Sequence, residues 1–322
     1  MGYWSIGPPN ASSLQYSGIP SLRFFFVLPE PFNSQFLNQL ETLRLRTRKE
    51  FLGGHAGSYS SPRRGTSLEF ADYRRYSPGD DLRYLDWGIY ARSDRLYVKL
   101  YREEVDLFAY VFVDASASMG FPTVADKFRP ANHIAAALSY VILANHDHVK
   151  LHLLQGPAGA SSPFYRGRRR MTDCLSFVLS GTPSGPLQLA TSLGEHLKRL
   201  RRPGKAILIS DFLMPPPSYQ QGLNLLRAFN LDIAVIQVLT RQEVDPPFTH
   251  GGLNLVDSET QGEIKLQWDA GAKQEYQNRM AHHNSEIRSF CHRSGIHYSL
   301  YVTDRDLADF VFATLPAIGL FK

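Results

Sequence analysis

Cysteine is scarce in this chain, which has 322 residues and two cysteines, Cys174 and Cys291. Two cysteines so far apart cannot build a disulfide framework, and their spacing matches neither a zinc-ligand motif nor a redox pair. Disulfides belong to oxidising compartments and are rare in the reducing cytosol. We therefore predict a cytoplasmic protein that does not depend on disulfide bonds.

Long apolar runs are also missing. The conspicuous one near the N-terminus, residues 24–28, lies between Arg23 and Pro29, whereas a membrane-spanning helix needs about 20 apolar residues. The first residues have neither the basic region nor the small-residue cleavage site of a signal peptide. The sequence therefore predicts a soluble protein without a membrane span.

The excess of positive charge is modest and uneven. The formal net charge is +5, and residues 1–64, with seven basic and three acidic residues, hold most of the excess. A surface that tracks nucleic-acid phosphates needs clustered basic side chains. Nucleic-acid binding through residues 44–49 and 166–170 is thus an alternative function, and it predicts strongly salt-dependent binding.

Hydrophobic patterning divides the chain into three parts. Residues 1–31 are rich in Pro, Gly and Ser and predict a loosely ordered lead-in. Residues 32–104 begin with an amphipathic helix, capped by Asn33 and running past Leu43, and continue into a charged and aromatic segment. In residues 105–318 apolar strands alternate with helical patterns. This alternation predicts an α/β fold with a mainly parallel sheet and helices on both faces.

The expected elements of this third part follow from the period of the apolar residues. The predicted strands are 107–113, 149–153, 206–209, 233–239 and 298–302, and a hairpin is expected at 253–268. The predicted helices are 127–145, 172–179, 189–201, 219–229, 271–294 and 307–315.

Polar side chains follow two of the predicted strands. Asp114, Ser116 and Ser118 come after the first strand, and Asp211 ends the strand at 206–210. Parallel sheets bind ligands at the carboxyl ends of their strands, and carboxylate and hydroxyl oxygens suit a hard cation such as Mg²⁺. The alternative is structural: the two serines cap the following turn, and Asp114 bonds to backbone amides.

The spacing of these residues resembles the metal-ion-dependent adhesion site, or MIDAS, of von Willebrand factor A domains. Upstream, residues 65–87, GTSLEFADYRRYSPGDDLRYLDW, followed by Ala91 and Arg92, are similar to the signature of a bacterial family known as domain of unknown function fifty-eight. The similarity continues through the metal loop, residues 209–212 and the turn at 257–260. It covers residues 35 to 315.

The resemblance implies a von Willebrand A-like, Rossmann-like sheet without known catalytic activity. It also implies a protein partner, a MoxR-type AAA+ ATPase, and a Mg²⁺ cofactor held by the metal loop. A third loop of such sites contributes a threonine, expected here near residues 184–186. Leu187 stands where that threonine would be most natural, and Thr182 is poorly spaced to replace it. The resemblance therefore implies a metal site that lacks one of its usual ligands.

The signature segment combines arginines, aspartates and aromatic residues around a Pro78-Gly79 turn, for which type II geometry is expected. Its candidate partner-binding residues are Arg74, Arg75, Asp80, Asp81, Arg83, Asp86, Trp87 and Arg92. Guanidinium groups pair with carboxylates and stack on aromatic rings. The segment is therefore either an internal ion-pair network that seats it on the sheet domain or a docking face for a partner.

The leading hypothesis is a non-enzymatic protein-interaction module, an adaptor for a MoxR-type ATPase in protein assembly or maturation. One alternative is a metal-dependent phosphatase with Asp114 as nucleophile, although Ser116 stands where such enzymes need a second carboxylate. The sequence has no glycine-rich phosphate-binding loop, so that any ATP hydrolysis must come from the partner.

Overall fold

The structure, a computed structural model, describes residues 30–47, 69–102, 107–123, 126–157, 159–200, 202–248, 251–256 and 263–322. In chain order its elements are α1 (Ser34–Leu40), β1 (Glu69–Arg75), α2 (Trp87–Ser93), β2 (Tyr97–Arg102), β3 (Phe108–Asp114), α3 (Phe128–Ala144), β4 (His148–Leu154), β5 (Ala160–Ser161), β6 (Tyr165–Arg166), α4 (Met171–Leu179), α5 (Leu189–Leu197), β7 (Lys205–Ser210), α6 (Pro216–Ala228), β8 (Asp232–Leu239), α7 (Arg241–Val244), β9 (Gly251–Val256), β10 (Glu263–Trp268), α8 (Ala270–Arg293), β11 (His297–Val302), α9 (Leu307–Asp309), a π-helical turn (Phe310–Thr314) and α10 (Leu315–Ala317).

The central sheet has seven strands in the order β11, β8, β7, β3, β4 and β5, with β6 also paired to β4. Strands β11, β8, β7, β3 and β4 run parallel, whereas β5 and β6 are antiparallel to β4. Strands β7 and β8 are buried along their whole length, as expected for parallel strands covered on both faces. The predicted mainly parallel α/β fold is confirmed.

Helices cover both faces of this sheet. Successive side chains of a strand point to opposite faces, and in β3 Val111 packs with α3 and α4 while Phe112 packs with α5, α6 and α8. Full burial of one such side chain stabilises the fold by about 1.5–3 kcal/mol. The two apolar clusters fix the sheet between two helical layers.

The first described helix, α1, packs on the same unit. Asn33 caps it, since its side-chain oxygen accepts a hydrogen bond from the Phe36 amide at 2.9 Å, as predicted. The helix ends at Leu40, earlier than the spacing of Leu43 suggested. Beyond that point Leu45 forms an antiparallel bridge with Phe321, so the backbone of this stretch pairs with the C-terminal residues instead of continuing the helix.

Strands β1 and β2 form a separate antiparallel pair. The predicted turn before α2 is confirmed: the Asp80 amide donates to the Ser77 carbonyl at 3.0 Å, and Gly79 has a φ of 105°, which a type II turn requires at that position. Between residues 72 and 99, Leu85 and Val98 are the buried apolar side chains. This β1–β2 unit therefore has little core of its own.

The predicted hairpin is formed by β9 and β10, and its connecting turn, with residues 257–260, lies outside the described residues. The helix that follows, α8, buries Ile287 and Cys291. In the part of the chain that the structure describes, no helix combines the length and the apolar character needed to cross a bilayer.

Candidate functional site

The carboxyl ends of β3 and β7 border the point where the strand order changes direction. From β3 the chain passes through α3 to β4 on one side, and it later returns to β7 on the other side of β3. Open α/β sheets bind ligands at such a switch point. Asp114 is the last residue of β3, and Asp211 directly follows β7. The fold thus brings the two predicted acidic residues to one edge.

Hydrogen bonds join the two strand ends. The Ser210 hydroxyl donates to Asp114 Oδ2 at 2.6 Å, and the Ser116 amide donates to Asp114 Oδ1 at 2.8 Å. The Ser116 and Ser118 hydroxyl oxygens lie 3.0 Å apart. Asp114 does bond to a backbone amide, as the structural interpretation expected, and the hydroxyls at the second and fourth following positions contact each other.

Burial dominates the electrostatics of Asp114, which is fully enclosed. Desolvation, followed by the negative charge of Asp211, raises the pKa of Asp114 to about 7, although hydrogen bonds from Ser210 and Ser116 partly oppose the shift. Both carboxylate oxygens of Asp114 are engaged within the protein. The phosphatase alternative, in which one of these oxygens attacks a phosphate ester, and metal binding would both have to use an oxygen that already accepts a hydrogen bond.

A buried lysine, Lys127, also belongs to the site, and the sequence did not indicate it. Its ammonium group donates to Asp211 Oδ2 at 2.8 Å and to Glu243 Oε1 at 2.6 Å. Desolvation lowers the pKa of Lys127, but the charges of Asp211 and Glu243 outweigh it and the net shift is upward. Lys127 is therefore a charged ammonium enclosed between two carboxyl groups.

Glu243 is held in place by a capping box at the start of α7. Its Oε2 atom accepts hydrogen bonds from the Thr240 amide at 2.8 Å and hydroxyl at 3.1 Å, and the Glu243 amide donates back to the Thr240 hydroxyl at 3.2 Å. A threonine followed three positions later by glutamate is a recognisable helix-start pattern. That pattern fixes the local geometry of Glu243 but carries no information about its contact with Lys127.

The loop around residues 184–186 lies against the metal loop, as the resemblance implied. The Ser184 amide donates to the Ala115 carbonyl at 3.0 Å, and the Ala117 amide donates to the Gly185 carbonyl at 2.9 Å. Leu187 packs against the apolar cluster below the sheet. The loop therefore brings the backbone of Ser184 and Gly185 against residues 115–117, while Leu187, at the position expected for threonine, packs in the core.

Gln155, at the end of β4, supports this third loop. Its side-chain amide donates to the Thr182 carbonyl at 3.0 Å and to the Ser184 hydroxyl. The role of Gln155 depends on where β4 ends relative to the loop, so no local sequence pattern indicated it.

The donor atoms at the sheet edge fit a hard cation. All are carboxylate or hydroxyl oxygens, and oxygen ligands are those that Mg²⁺ prefers. The Lys127 ammonium contacts Asp211 and Glu243, whereas Asp114 lies close enough to Asp211 for its pKa to be raised by that charge. Within the described ranges no three His, Cys, Asp or Glu side chains are grouped to hold a metal. A cation here would therefore be held by Asp114, Ser116, Ser118 and Asp211 together with water, because acidic side chains alone do not complete a cage.

The charged residues of the signature segment pair among themselves. Arg74 contacts Asp80 at 2.8 Å, and Arg83 contacts Asp81 at 2.6 Å. The remaining interactions include Lys99 with Asp86 at 3.2 Å and the Arg92 side chain with the Gly88 carbonyl at 3.0 Å. These contacts lie inside the β1–β2 unit, whereas the expected network was to seat the segment on the sheet domain. Trp87, in contrast, is 62% exposed.

The basic cluster at residues 166–170 is also tied to protein groups. Arg166 donates to the His146 carbonyl at 2.8 Å, Arg168 contacts Glu41 at 2.8 Å, and Arg170 contacts Asp173 at 3.0 Å. In the other basic stretch, residues 48 and 49 lie outside the described residues. Nothing in these contacts favours the nucleic-acid alternative.

Comparisons with known proteins agree with the signature segment. The chain is 28% identical over 278 residues to an uncharacterized protein of Mycobacterium bovis, an alignment that covers 84% of this chain and 86% of that protein. It is similar in structure to the conserved hypothetical protein BatB from Bacteroides thetaiotaomicron, with a TM-score of 0.39, 12% identity and coverage of 66% of this chain and 98% of that one. It is also similar to the vWF domain of the type V pili tip protein Mfa5 from Porphyromonas gingivalis, with a TM-score of 0.30, 12% identity and coverage of 63% and 83%. The model of the family described as "Protein of unknown function DUF58" matches residues 72–286, which is most of the chain, and the protein therefore belongs to that family.

Proposed function

We propose that the protein is a non-enzymatic protein-interaction module that captures a partner carboxylate through a metal ion, Mg²⁺, bound at Asp114, Ser116, Ser118 and Asp211. The observation that supports it is that Asp114, Ser116 and Ser118 lie together at the switch point of the sheet, with the charge of Asp211 close enough to raise the pKa of Asp114. Mg²⁺ usually keeps several coordination positions for water. An aspartate or glutamate of a partner would replace one of those waters.

The balance of charge at the site supports a cation. Asp114 receives its described hydrogen bonds from neutral donors, the Ser116 amide and the Ser210 hydroxyl, whereas the Lys127 ammonium contacts Asp211 and Glu243. A buried carboxylate is costly unless it is paired or coordinates a metal. A divalent ion beside Asp114 would offset the charge that Lys127 leaves uncompensated.

The surroundings of the site suit a protein partner. Ser118 is partly exposed, and two large apolar side chains close to the loops in sequence, Phe121 and Leu213, are 49% and 40% exposed. Protein interfaces combine apolar contact area with a few well-placed polar groups. We infer that the partner covers these apolar side chains while its carboxylate reaches the metal.

The partner that we propose is a MoxR-type AAA+ ATPase, with the protein acting as its adaptor in protein assembly or maturation in the cytoplasm. The β1–β2 unit would supply a second contact surface. Its ion pairs are satisfied internally, so its exposed aromatic side chains, Trp87, Tyr73 and Tyr90, are what it offers to a partner.

Metal binding is tested by titrating the purified protein with Mg²⁺ and following the melting temperature. Wild type is expected to become more stable, because an ion that binds the folded state alone stabilises it. The Asp114→Ala variant should lose this response, whereas the control Asp173→Ala, at a partly exposed acidic residue of α4, should keep it. If the melting temperatures of wild type and Asp114→Ala respond identically to Mg²⁺, the proposed metal site is wrong.

The partnership is tested separately with a purified MoxR-type ATPase from the same organism. Capture of the ATPase on immobilised protein should require Mg²⁺ and should fail with the Asp114→Ala variant. Capture that is unchanged by chelator would show that the contact does not pass through a metal.

A further inference from the structure

The geometry points to Lys127 as an intramolecular competitor for the metal at Asp211, an inference that rests on the proposed function. The ammonium of Lys127 contacts Asp211 Oδ2 at 2.8 Å and Glu243 Oε1 at 2.6 Å. A cation bound at Asp211 and the ammonium therefore need the same carboxylate. A metal would bind Asp211 only when the Lys127 ammonium gives up its contact with Asp211 and keeps the one with Glu243.

Both oxygens of Asp211 already accept hydrogen bonds. Oδ2 takes the Lys127 ammonium at 2.8 Å, and Oδ1 takes the Leu213 amide at 3.1 Å. Lys127 is fully buried and Asp211 is 2% exposed, so water screens their interaction poorly. Coulomb forces between charges are several times stronger in such surroundings than in bulk water, and a divalent ion on Asp211 would be repelled by the ammonium.

Glu243 provides an alternative acceptor for the ammonium. One of its oxygens, Oε1, accepts from Lys127, while the other, Oε2, is fixed by the Thr240 amide and hydroxyl. Glu243 is thus held independently of Lys127 by the capping box. When a metal approaches Asp211, the ammonium can keep its contact with Glu243 and give up the one with Asp211.

The same sheet contains a second buried ion pair, at the amino ends of its strands. Lys205, at the start of β7, is also fully buried, and its ammonium donates to Asp232 Oδ2 at 2.8 Å and to the Arg46 carbonyl at 2.7 Å. Like Lys127 it is a buried ammonium paired with an aspartate, although its second acceptor is a backbone carbonyl instead of a carboxylate, and it lies at the amino ends of the strands. Lys205 therefore serves as a control for the loss of a buried ammonium.

The test is calorimetric titration with Mn²⁺, used as a probe for a hard divalent cation, on the full chain. Lys127→Met should bind Mn²⁺ about tenfold more tightly than wild type, since removing one adjacent buried charge is worth at least that factor. Lys205→Met should match wild type. In an Asp211→Asn background the gain from Lys127→Met should disappear, because the competition acts through Asp211.

The outcomes separate this inference from the proposed function. Equal affinity in wild type and Lys127→Met, or a gain that persists in the Asp211→Asn background, overturns the competitor role while the metal-binding function stands. Binding by Lys127→Met but not by wild type supports the competitor role and refutes the metal-bridged function. Absence of binding in both, with Lys127→Met folded by circular dichroism, refutes both.

A second variant covers the case in which Lys127→Met does not fold. Glu243→Gln removes the negative charge of the alternative acceptor, so the ammonium should stay on Asp211 and Mn²⁺ should bind more weakly than to wild type. This weakening of Mn²⁺ binding should be absent when Asp211 is also changed to Asn. Unchanged or tighter binding by Glu243→Gln overturns the competitor role.

Discussion

Lys127 and Glu243 are 116 positions apart in the sequence, yet the Lys127 ammonium donates to Glu243 Oε1 at 2.6 Å. The contact links the start of α3 to the start of α7, and the same ammonium contacts Asp211 at the end of β7. Two helix starts and one strand end are thus joined by one buried charge. The stability of this edge and its affinity for cations are expected to change together.

Removal of the ammonium should destabilise the protein strongly when no metal is present. Lys127→Met leaves Asp211 and Glu243 buried without their cation, and breaking a buried pair in this way costs about 3–5 kcal/mol. Urea denaturation in the presence of chelator measures the loss, and saturating Mg²⁺ should restore part of it. The control Lys198→Met removes an exposed lysine and should leave the midpoint unchanged. A variant as stable as wild type in chelator would contradict the assigned role of the buried charge.

The Thr240 cap should contribute more to the stability of the protein than the short length of α7 suggests. Thr240→Ala removes the hydroxyl that binds both the Glu243 amide and its carboxylate, and loss of such a cap costs about 0.5–2 kcal/mol. Thr240→Ser keeps the hydroxyl and should retain most of the stability. Denaturation curves for the two variants provide the comparison, and equal losses would show that the hydroxyl is not the source of the effect.

Two buried histidines should make the protein sensitive to mild acid. The Nδ1 atoms of His152 and His196 lie 3.1 Å apart, and the pKa of each is lowered, chiefly by desolvation and further by neighbouring positive charge such as Lys150. The folded state thus holds both rings neutral. As the pH falls below about 6.5, the ordinary pKa of histidine, the unfolded state gains protons that the folded state does not.

The free energy of unfolding should therefore fall as the pH decreases below about 6.5, by up to about 1.4 kcal/mol per pH unit for each histidine. The His152→Gln variant should show a shallower slope when denaturation is followed between neutral and acidic pH. The control His282→Gln, at an exposed position of α8, should keep the slope of wild type. A slope unaffected by His152→Gln would show that another group controls the acid sensitivity.

The exposed Trp87 should contribute to partner binding and hardly to folding. Its ring is 62% exposed and contacts Tyr90 edge to face with 6.2 Å between the ring centroids. Substitution of an exposed side chain generally changes stability by less than about 0.5 kcal/mol, whereas an aromatic interface anchor contributes about 2 kcal/mol or more to binding. Trp87→Ala should thus melt like wild type and capture the MoxR-type ATPase much less.

A suitable control for that experiment is Phe229→Ala, which removes another exposed aromatic ring, 41% exposed, directly after α6. It should leave capture unchanged. If both variants capture the ATPase as wild type does, the β1–β2 unit is not part of the contact.

The sheet and the position of the site were accessible from sequence because their signals are local. Apolar runs of strand length alternating with helical periods are enough to predict a parallel α/β sheet. Once the sheet is parallel, Asp114 and Asp211 must lie at the same edge, since each follows the carboxyl end of a strand. The hydrogen bond between Ser210 and Asp114 follows from that shared edge.

The parts that sequence patterns missed depend on long-range contacts. Lys127 looks like an ordinary charged residue before a helix, and the contact with Glu243 exists because β8 delivers α7 to the same edge. Similarly, the helical spacing of Leu43 is overridden by the bridge between Leu45 and Phe321. Periodicity describes which face of an element is apolar and does not describe which distant backbone will pair with it.

The two short strands that pair with β4, β5 and β6, have a further consequence. A strand at the edge of a sheet exposes unpaired backbone groups to other molecules, and natural proteins commonly protect such edges from aggregation. Here β5 and β6 cover part of one edge of the sheet by pairing with β4, while β11 forms the other edge. Polymerisation by strand addition is thereby impeded on the β4 side of the sheet.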